Sequence, residues 1–358
     1  MDKLIECRKK IDEIDKKMAE LFQDRMKVVE SVAQYKIDNH IEVLDGDREK
    51  EVVDKNLKYI SDEKYIQIYK EYIINLMDIS KAYQKVIINK DVIGYPGIIG
   101  AFSHIAANSL FPYHKMRAYT TFEDVVKAVI KGDVTFGVIP FENSYTGEVG
   151  EVSDLLKENE VFINRTFDLK IDQNLLGIKG SHIADIKGVY SHPQAISQSR
   201  LFLKGRGYDV IAYPNTAIAA RYVSESNDKT KAAIASKETA KIYGLEILAE
   251  NINTSDTNTT RFIVISKKYS EKGEYFQLLF TVKNRPGELA DVINIIASHG
   301  FNMENLKSHA ISNQPWSYYF HVEIKAELDS KESKDMIEDI RSHCEDMKIL
   351  GGYDKIIK

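Results

Sequence analysis

Residues 94–104 read Gly94-Tyr95-Pro96-Gly97-Ile98-Ile99-Gly100-Ala101-Phe102-Ser103-His104. The glycines invite a dinucleotide-loop reading. That reading fails, because they are spaced three and three rather than as Gly-x-Gly-x-x-Gly. What remains is a glycine-containing loop leading to Ser103, a good N-cap for a helix that begins His104-Ile105-Ala106-Ala107-Asn108. The same device recurs downstream. A strand over 134–139 ends in Pro140-Phe141-Glu142-Asn143-Ser144, and one over 188–190 ends in Ser191-His192-Pro193-Gln194, with Pro193 placed as a first helical residue. A strand near Val210 ends in Tyr213-Pro214-Asn215-Thr216 before an alanine-rich helix. Each unit sets backbone N–H groups and small polar side chains at the C-terminal end of a strand, where open α/β sheets bind ligands and helix N-termini favour anions. A dicarboxylate fits such a cleft.

Downstream, Asn253-Thr254-Ser255-Asp256-Thr257-Asn258-Thr259-Thr260 reads as a flexible linker, as two glycosylation sequons, or as a loop carrying the chain back to the first part of this α/β region. The strand 261–265 follows without a break, which favours the returning loop. The α/β pattern occupies residues 91–270.

Residues 1–90 follow a different period. Leu4, Cys7, Ile11, Ile14, Met18, Leu21, Arg25, Val28, Val32 and Tyr35 recur at alternating three- and four-residue spacings with no Pro or Gly among them, which predicts one helix roughly 50 Å long at about 1.5 Å per residue. Asp45-Gly46 opens a second helix to about Tyr59, and Ser61-Asp62-Glu63 caps a third to about Ile87. So long a first helix has too little neighbouring chain to cover it, and dimerisation is expected. Arg25 stands in the apolar seam where a leucine belongs, so an anion should meet it. Arg8 and Lys36 flank the seam. Asp45, Arg48 and Glu49 follow, and Ser80 and Gln84 lie one turn apart. Each alone fits a solvated face of an oligomerisation bundle; the set is harder to dismiss.

From residue 271 to 358 the order is strand 276–282, turn Asn284-Arg285-Pro286-Gly287, helix 288–298, strands 306–311 and 317–325, a helix from Ser330 and a short strand near Ile349. Tyr318, Phe320, Val322 and Ile324 alternate with Tyr319, His321 and Glu323, as on a half-exposed strand. The pattern is βαββαβ.

Composition narrows the function. The chain has 358 residues, 43% hydrophobic and 29% charged, with net charge −5, so several domains are expected and no basic excess exists for nucleic acid. Cys7 and Cys344 are too few for a disulfide framework or a thiolate metal site. The N-terminus lacks a signal peptide's apolar core, and no apolar run approaches about 18 residues, so a cytoplasmic protein without membrane contact is expected. The His, Asp and Glu positions show no ligand spacing, and neither a metal nor an organic cofactor is expected.

Three resemblances follow from these residues. Arg8, Arg25, Lys36, Asp45, Arg48, Glu49, Ser80 and Gln84 match, without departure, the pattern of the all-helical chorismate mutases. The resemblance implies that Arg25, Arg48 and a second chain's Arg8 hold the two carboxylates of chorismate. It further implies that Lys36 and Gln84 donate to the ether oxygen, while Glu49 and Asp45 hold the hydroxyl, with Ser80 in the binding site. That rearrangement is pericyclic and needs only positioning and electrostatics.

The Gly-Ala-Phe-Ser-His start, Pro-Phe-Glu-Asn-Ser, His-Pro-Gln and Thr260-Arg261-Phe262 resemble prephenate dehydratases over the whole central region. The fold implied is two lobes like a periplasmic binding protein, with the site between them. Thr260 is implied to donate to the departing hydroxyl, and Glu142, Asn143, Ser103 and Gln194 to shape the cleft. Arg261 serves either carboxylate binding or cleft structure. His104 and His192 are either general acids or helix-start histidines bonded to backbone.

The last segment resembles the ACT domain, an α+β, ferredoxin-like regulatory module that pairs with its twin and binds phenylalanine at the interface. Asn284, Gly287, Glu288, Leu289 and Ser308 are the implied effector contacts. Where the family's second signature reads Glu-Ser-Arg-Pro, this chain has Lys307-Ser308-His309-Ala310. The lost Arg is expected to alter effector response.

The leading expectation is a bifunctional enzyme that takes chorismate to prephenate and prephenate to phenylpyruvate, a homodimer or homotetramer responding to L-phenylalanine. The alternatives are a dehydratase with a helical scaffold, and a non-catalytic amino-acid sensor.

Overall fold

The computed structural model describes residues 2–39, 41, 46–311 and 314–357; Asp45 lies outside them. The first unit is helical. Helix α1 (Asp2–Asp38) is unbroken, α2 is Gly46–Leu57, and a 3-10 turn at Glu63–Tyr65, capped by the Asp62 side chain, leads into α3 (Ile66–Asn89). Only the second half of α1 finds cover within this unit: Val29 and Ala33 are buried, and Tyr83 of α3 donates to Glu30 at 2.8 Å. The expected seam Leu4, Ile11, Ile14, Met18 and Leu21 stays exposed.

A second unit begins at Val92. Its first lobe is built from β1 (Val92–Pro96), α4 (Phe102–Leu110), β2 (Lys115–Tyr119), α5 (Phe122–Lys131), β3 (Phe136–Asn143), β4 (Gly147–Glu148), α6 (Gly150–Glu158) and β5 (Phe162–Lys170). The chain then crosses to a second lobe. There β6 (Asn174–Gly177), β7 (Gly188–Ser191), α7 (Pro193–Gln198), α8 (Arg200–Leu203), β8 (Asp209–Ala212), α9 (Thr216–Ser226), β9 (Lys231–Ala235), α10 (Lys237–Tyr243) and β10 (Glu246–Ala249) form a five-stranded sheet in the order β10-β6-β9-β7-β8. The loop after β10 returns the chain to the first lobe, where β11 (Thr259–Ser266) lies antiparallel between β3 and β5.

The remaining elements are β12 (Tyr275–Thr281), α11 (Glu288–Ser298), β13 (Met303–Ala310), β14 (Tyr318–Ile324), α12 (Lys331–His343) and β15 (Asp346–Ile357), a βαββαβ unit. The short final strand expected near Ile349 is in fact twelve residues long. Its first half pairs with β12, and its second half runs parallel to β5. The two sheets therefore merge into one in the order β13-β14-β12-β15-β5-β11-β3-β1-β2, with β4 beside β3. Gly351 turns β15 at this transition with φ +99°, a left-handed value that glycine adopts freely. Gly273 faces it so closely that a Cβ would lie 2.4 Å from the Tyr353 backbone.

The expectation of a half-exposed β14 is corrected. Tyr319, His321 and Glu323 are buried, because this polar face of the strand lies against the first lobe rather than water. Tyr319 and Tyr353 join the same core cluster as Val125, Phe141 and Ile163 of that lobe.

Candidate active sites

In the helical unit, α1 and α3 bring Arg25 and Ser80 together. Arg25 Nη1 donates to Ser80 Oγ, and that hydroxyl donates to the Leu76 carbonyl at 2.7 Å. Burial lowers the Arg25 pKa from its ordinary value, so this guanidinium is a partly desolvated cation. Gln84, one turn beyond Ser80, is buried as well. Lys81, which sequence reasoning missed, ties α3 to α2 by reaching Glu49 at 3.0 Å, and it also pairs with Asp78 on its own helix at 2.8 Å. Lys36 is half-buried near the end of α1. Arg48 is exposed, pairing with Glu51 at 2.6 Å. Arg8 is exposed, and seventeen residues of helix put it about 26 Å from Arg25 along the axis, at about 1.5 Å per residue. One chain cannot bring those two arginines to one small ligand.

The second unit holds a cleft of about 420 Å³ between its lobes. Four strand positions explain its floor. In the ladder of β3 with β11, Thr260 faces Asn143 and Phe262 faces Pro140, so Phe141 is an extra residue bulged out of the pairing. Asn143 and Pro140 are three apart, and an unbroken strand would send their side chains to opposite faces. With the bulge, both line the cleft together with Thr260 and Phe262.

Asn143 then fixes the state of Thr260. Its Oδ1 accepts from the backbone of Tyr145 at 3.0 Å and Thr146 at 3.1 Å. Its Nδ2 therefore points to Thr260 Oγ1 and to Asn258 Oδ1, each at 2.9 Å. Since Thr260 Oγ1 accepts from Asn143, its own O–H is left to donate into the cleft. From the second lobe, Gln194 Nε2 reaches Thr146 Oγ1 at 3.2 Å, closing the gap between lobes.

Helix starts ring the same space. Ser103 lines it, but from the first turn of α4: the helix starts at Phe102 and Ala101 is its N-cap, which corrects the capping role expected of Ser103. Asn215 caps α9 by accepting from Ile218 N at 2.7 Å. His192 caps α7 by accepting the Gln194 N–H at its Nδ1, and His104 Nδ1 accepts from Gly100 N. Both rings are therefore helix-start acceptors, and burial lowers both pKa values, favouring the neutral imidazole. Thr120, Thr146, Gln173, Gln198, Asn215 and Thr216 also line the cleft. Of these, only the Asn215-Thr216 turn carried a sequence signal.

Two expected site residues point elsewhere. The strand continues through Glu142 instead of ending before it, and Glu142 pairs across the ladder with Arg261 on the face away from the cleft. Lys307 of β13 meets Glu142 at 2.6 Å. Arg261 holds Asp168 in a two-pronged pair at 2.8 and 2.9 Å and lies 3.8 Å from Glu323, so in this structure it joins lobe and regulatory sheet.

The C-terminal fold carries a cavity of about 370 Å³ lined by Asn284, Leu289, Trp316 and Tyr318 among others. Gly287, at φ +96°, leads into α11, whose first residue is Glu288. Ser308 is exposed on β13, outside that cavity. Lys307 and His309 face the first lobe, His309 lying 3.3 Å from Glu148, so the departure from the usual signature falls at the domain junction and not in this cavity.

Three architectures thus share one chain: a helical unit with a desolvated arginine, a two-lobed cleft floored by a polarised threonine, and a βαββαβ module merged with the first lobe. Comparison with known proteins gives the same division. Residues 7–85 match the family model for chorismate mutase type II, 93–270 that for prephenate dehydratase, and 276–341 that for the ACT domain. A bifunctional chorismate mutase/prephenate dehydratase of Buchnera aphidicola is 32% identical over 369 residues, covering 98% of this chain and 96% of the relative.

Among solved structures, a protein described as a novel type of quorum-quenching acylase matches 74% of this chain and 98% of its own at 30% identity and TM-score 0.68. A prephenate dehydratase of Arthrobacter aurescens in complex with L-Phe matches 74% of this chain and 89% of its own at 23% identity, also with TM-score 0.68. The chain belongs to the bifunctional chorismate mutase/prephenate dehydratase family and is an enzyme with both catalytic domains. Among the described residues, no helix is long and apolar enough to cross a membrane.

Proposed function

We propose that the two reactions run at two sites of different construction. In the helical unit, Arg25 and Arg48, joined by Arg8 of a second copy, hold the carboxylates of chorismate. Lys36 and Gln84 donate to the ether oxygen as its bond breaks, and Glu49, set by Lys81, takes the hydroxyl together with Asp45. The exposed Leu4, Ile11, Ile14 and Met18 give that second copy its surface.

In the cleft, prephenate loses its carboxylate as carbon dioxide. The electron pair of that bond enters the ring, and the ring's C–O bond breaks so that hydroxide departs. Thr260 donates its hydrogen bond to that leaving oxygen, where negative charge develops. The helix starts at Ser103, Gln194 and Thr216 receive the carboxylates, since the cleft lining contains no Arg or Lys among the described residues. The observation that carries this reading is the Asn143 to Thr260 hydrogen bond, which occupies one acceptor position of the hydroxyl and leaves its O–H for a partner other than Asn143. Converting Thr260 to valine, which keeps the shape and removes the O–H, tests it: prephenate consumption should collapse while chorismate is still rearranged.

L-phenylalanine, the ligand of the Arthrobacter aurescens structure, is the effector we assign to the cavity at Asn284 and Leu289. A homodimer or homotetramer paired through this module and α1 completes the picture. The work belongs in the cytoplasm, where these small anions are metabolites.

A further inference from the structure

The junction between the first lobe and the regulatory module contains a group that neither reaction uses. Glu148 on β4, His309 on β13 and His321 on β14 each turn one ligand-type atom toward a common point, all within 4.8 Å of one another. Glu148 Oε1 lies 3.3 Å from His309 Nε2 and 3.7 Å from His321 Nδ1. A tetrahedral ion with bonds of roughly 2.0–2.2 Å sets its ligands roughly 3.3–3.6 Å apart, so the Glu148 to His309 separation matches and the Glu148 to His321 separation of 3.7 Å is slightly long. The side chains are enclosed: Glu148 is 5% exposed, His309 15% and His321 2%.

Hydrogen bonding accounts for only part of the arrangement, since Ser153 Oγ donates to Glu148 Oε1 while the imidazole nitrogens facing that carboxylate are left over. His309 Nε2 and His321 Nδ1 are both buried with no hydrogen-bond partner. The tautomer of His321 is fixed from the other side. Gln277 directs its Nε2 to Tyr353 Oη at 2.6 Å and to Glu323 at 3.3 Å, so its Oε1 faces His321 Nε2 at 2.9 Å. An amide oxygen only accepts, hence Nε2 carries the proton and a neutral His321 aims a lone pair at the Glu148 carboxylate. Two buried acceptors so placed repel unless a cation lies between them.

An orienting partner behind a ligating imidazole is what metal sites use. The rings are also held from their faces and edges: His309 stacks on Tyr319 with centroids 4.9 Å apart, and Phe141 meets His321 at 5.4 Å. Lys307 is the opposing feature, at 3.2 Å from Glu148 Oε2, but it is shared with Glu142 at 2.6 Å. Two carboxylates against one ammonium leave the pocket negative.

We propose that Glu148, His309 and His321 form a site for a divalent d-block cation of the zinc type, clamping the regulatory sheet to the strand pair that carries Asn143. Two imidazoles and one carboxylate suit zinc or cobalt, whereas magnesium and calcium want oxygen ligands. The ligands stand 161 and 12 residues apart in sequence, on three different strands, so no sequence spacing announces them.

The test uses the full-length, tag-free enzyme, stripped with a chelator and dialysed. Titration with cobalt(II) should give one ion per chain and the visible ligand-field bands of a tetrahedral ion, lost on adding zinc(II). Zinc should raise Tm, and magnesium and calcium should not. His309→Gln, at the most accessible of the three positions, should weaken cobalt uptake about 100-fold, the upper end of what even an outer-shell change costs. A wild-type enzyme that takes up no cobalt at micromolar concentration overturns the proposal. Equal uptake by His309→Gln overturns it too. Should that variant fail to fold, X-ray absorption of the zinc-loaded wild type decides: two imidazole nitrogens and an oxygen support the site, and sulfur from Cys7 or Cys344 refutes it.

Discussion

The helical unit and the dehydratase cleft solve the same problem, holding a small dicarboxylate in a reactive shape, by opposite means. The cleft gathers its groups within one chain: Thr260, Asn143 and three helix starts face one space, and the charged residues nearby are turned to the other side of the sheet. On the proposed reading the helical unit is half a site. Arg25 is partly desolvated and hydrogen-bonded only to a neutral hydroxyl among the contacts described, while Arg8 lies far along an uncovered helix. On the proposed reading, charged groups meet the substrate directly at the first site and backbone dipoles do so at the second. The difference teaches that, on the proposed reading, quaternary structure is part of the chemistry in one region and part of the regulation in the other.

The strongest way to break this comparison is Thr260→Val. Removing the single donor to the leaving oxygen should lower prephenate turnover by about 10²–10³-fold, the usual loss for one donor at a developing charge, with mutase turnover unaffected. A dehydratase loss of only a few fold would show that another group assists departure.

Next comes the claim of a shared site. Arg8→Ala and Arg25→Ala should each abolish chorismate turnover, and mixing the two proteins should restore part of it, because a mixed dimer contains one site with both arginines. Mixtures that stay inactive, with subunit exchange verified, would place Arg8 outside the site.

At the junction, Glu323→Ala should destabilise the protein by about 3 kcal/mol, since it leaves the half-buried cation of Lys355, now 2.8 Å from Glu323, without its carboxylate. The same carboxylate gives a pH signature. Burial pushes its pKa up, but hydrogen bonds from Lys355 and Tyr353 and the charges of Lys355 and Arg261 outweigh burial and hold it below its ordinary 4.5. A depressed carboxylate binds fewer protons folded than unfolded, so its stabilisation is full above pH 4.5 and is lost as pH falls through the folded value. Thermal unfolding from neutral to acid pH should show a shallower decline for Glu323→Gln than for wild type; parallel curves would remove Glu323 from the account.

The smallest expected effect is optical. Trp316 is the only tryptophan, 81% exposed on the rim of the Asn284 and Leu289 cavity. Phenylalanine should shift its emission modestly and saturably. An unchanged spectrum, with inhibition still present, would place the effector elsewhere.

Much of this was legible in the sequence. The long α1, the return of the chain at β11 and the histidines at helix starts all follow from spacing, breakers and caps. What was not legible depends on strands meeting. The bulge at Phe141 decides that Glu142 turns from the cleft, and nothing in Pro-Phe-Glu-Asn-Ser marks the extra residue. The alternation in β14 correctly separates two faces, but it cannot say that the polar one is covered by another domain. Arg261 sits beside Thr260 in sequence and across the sheet from it in space, which is the ordinary consequence of a two-residue strand period.

The measurement that tests the whole account most directly is to give the full-length enzyme chorismate, with no added cofactor, and to follow phenylpyruvate. The account predicts that wild type forms phenylpyruvate and that Thr260→Val stops at accumulated prephenate. Chorismate left untouched by wild type, while supplied prephenate is still consumed, would contradict it and reduce the helical unit to a scaffold.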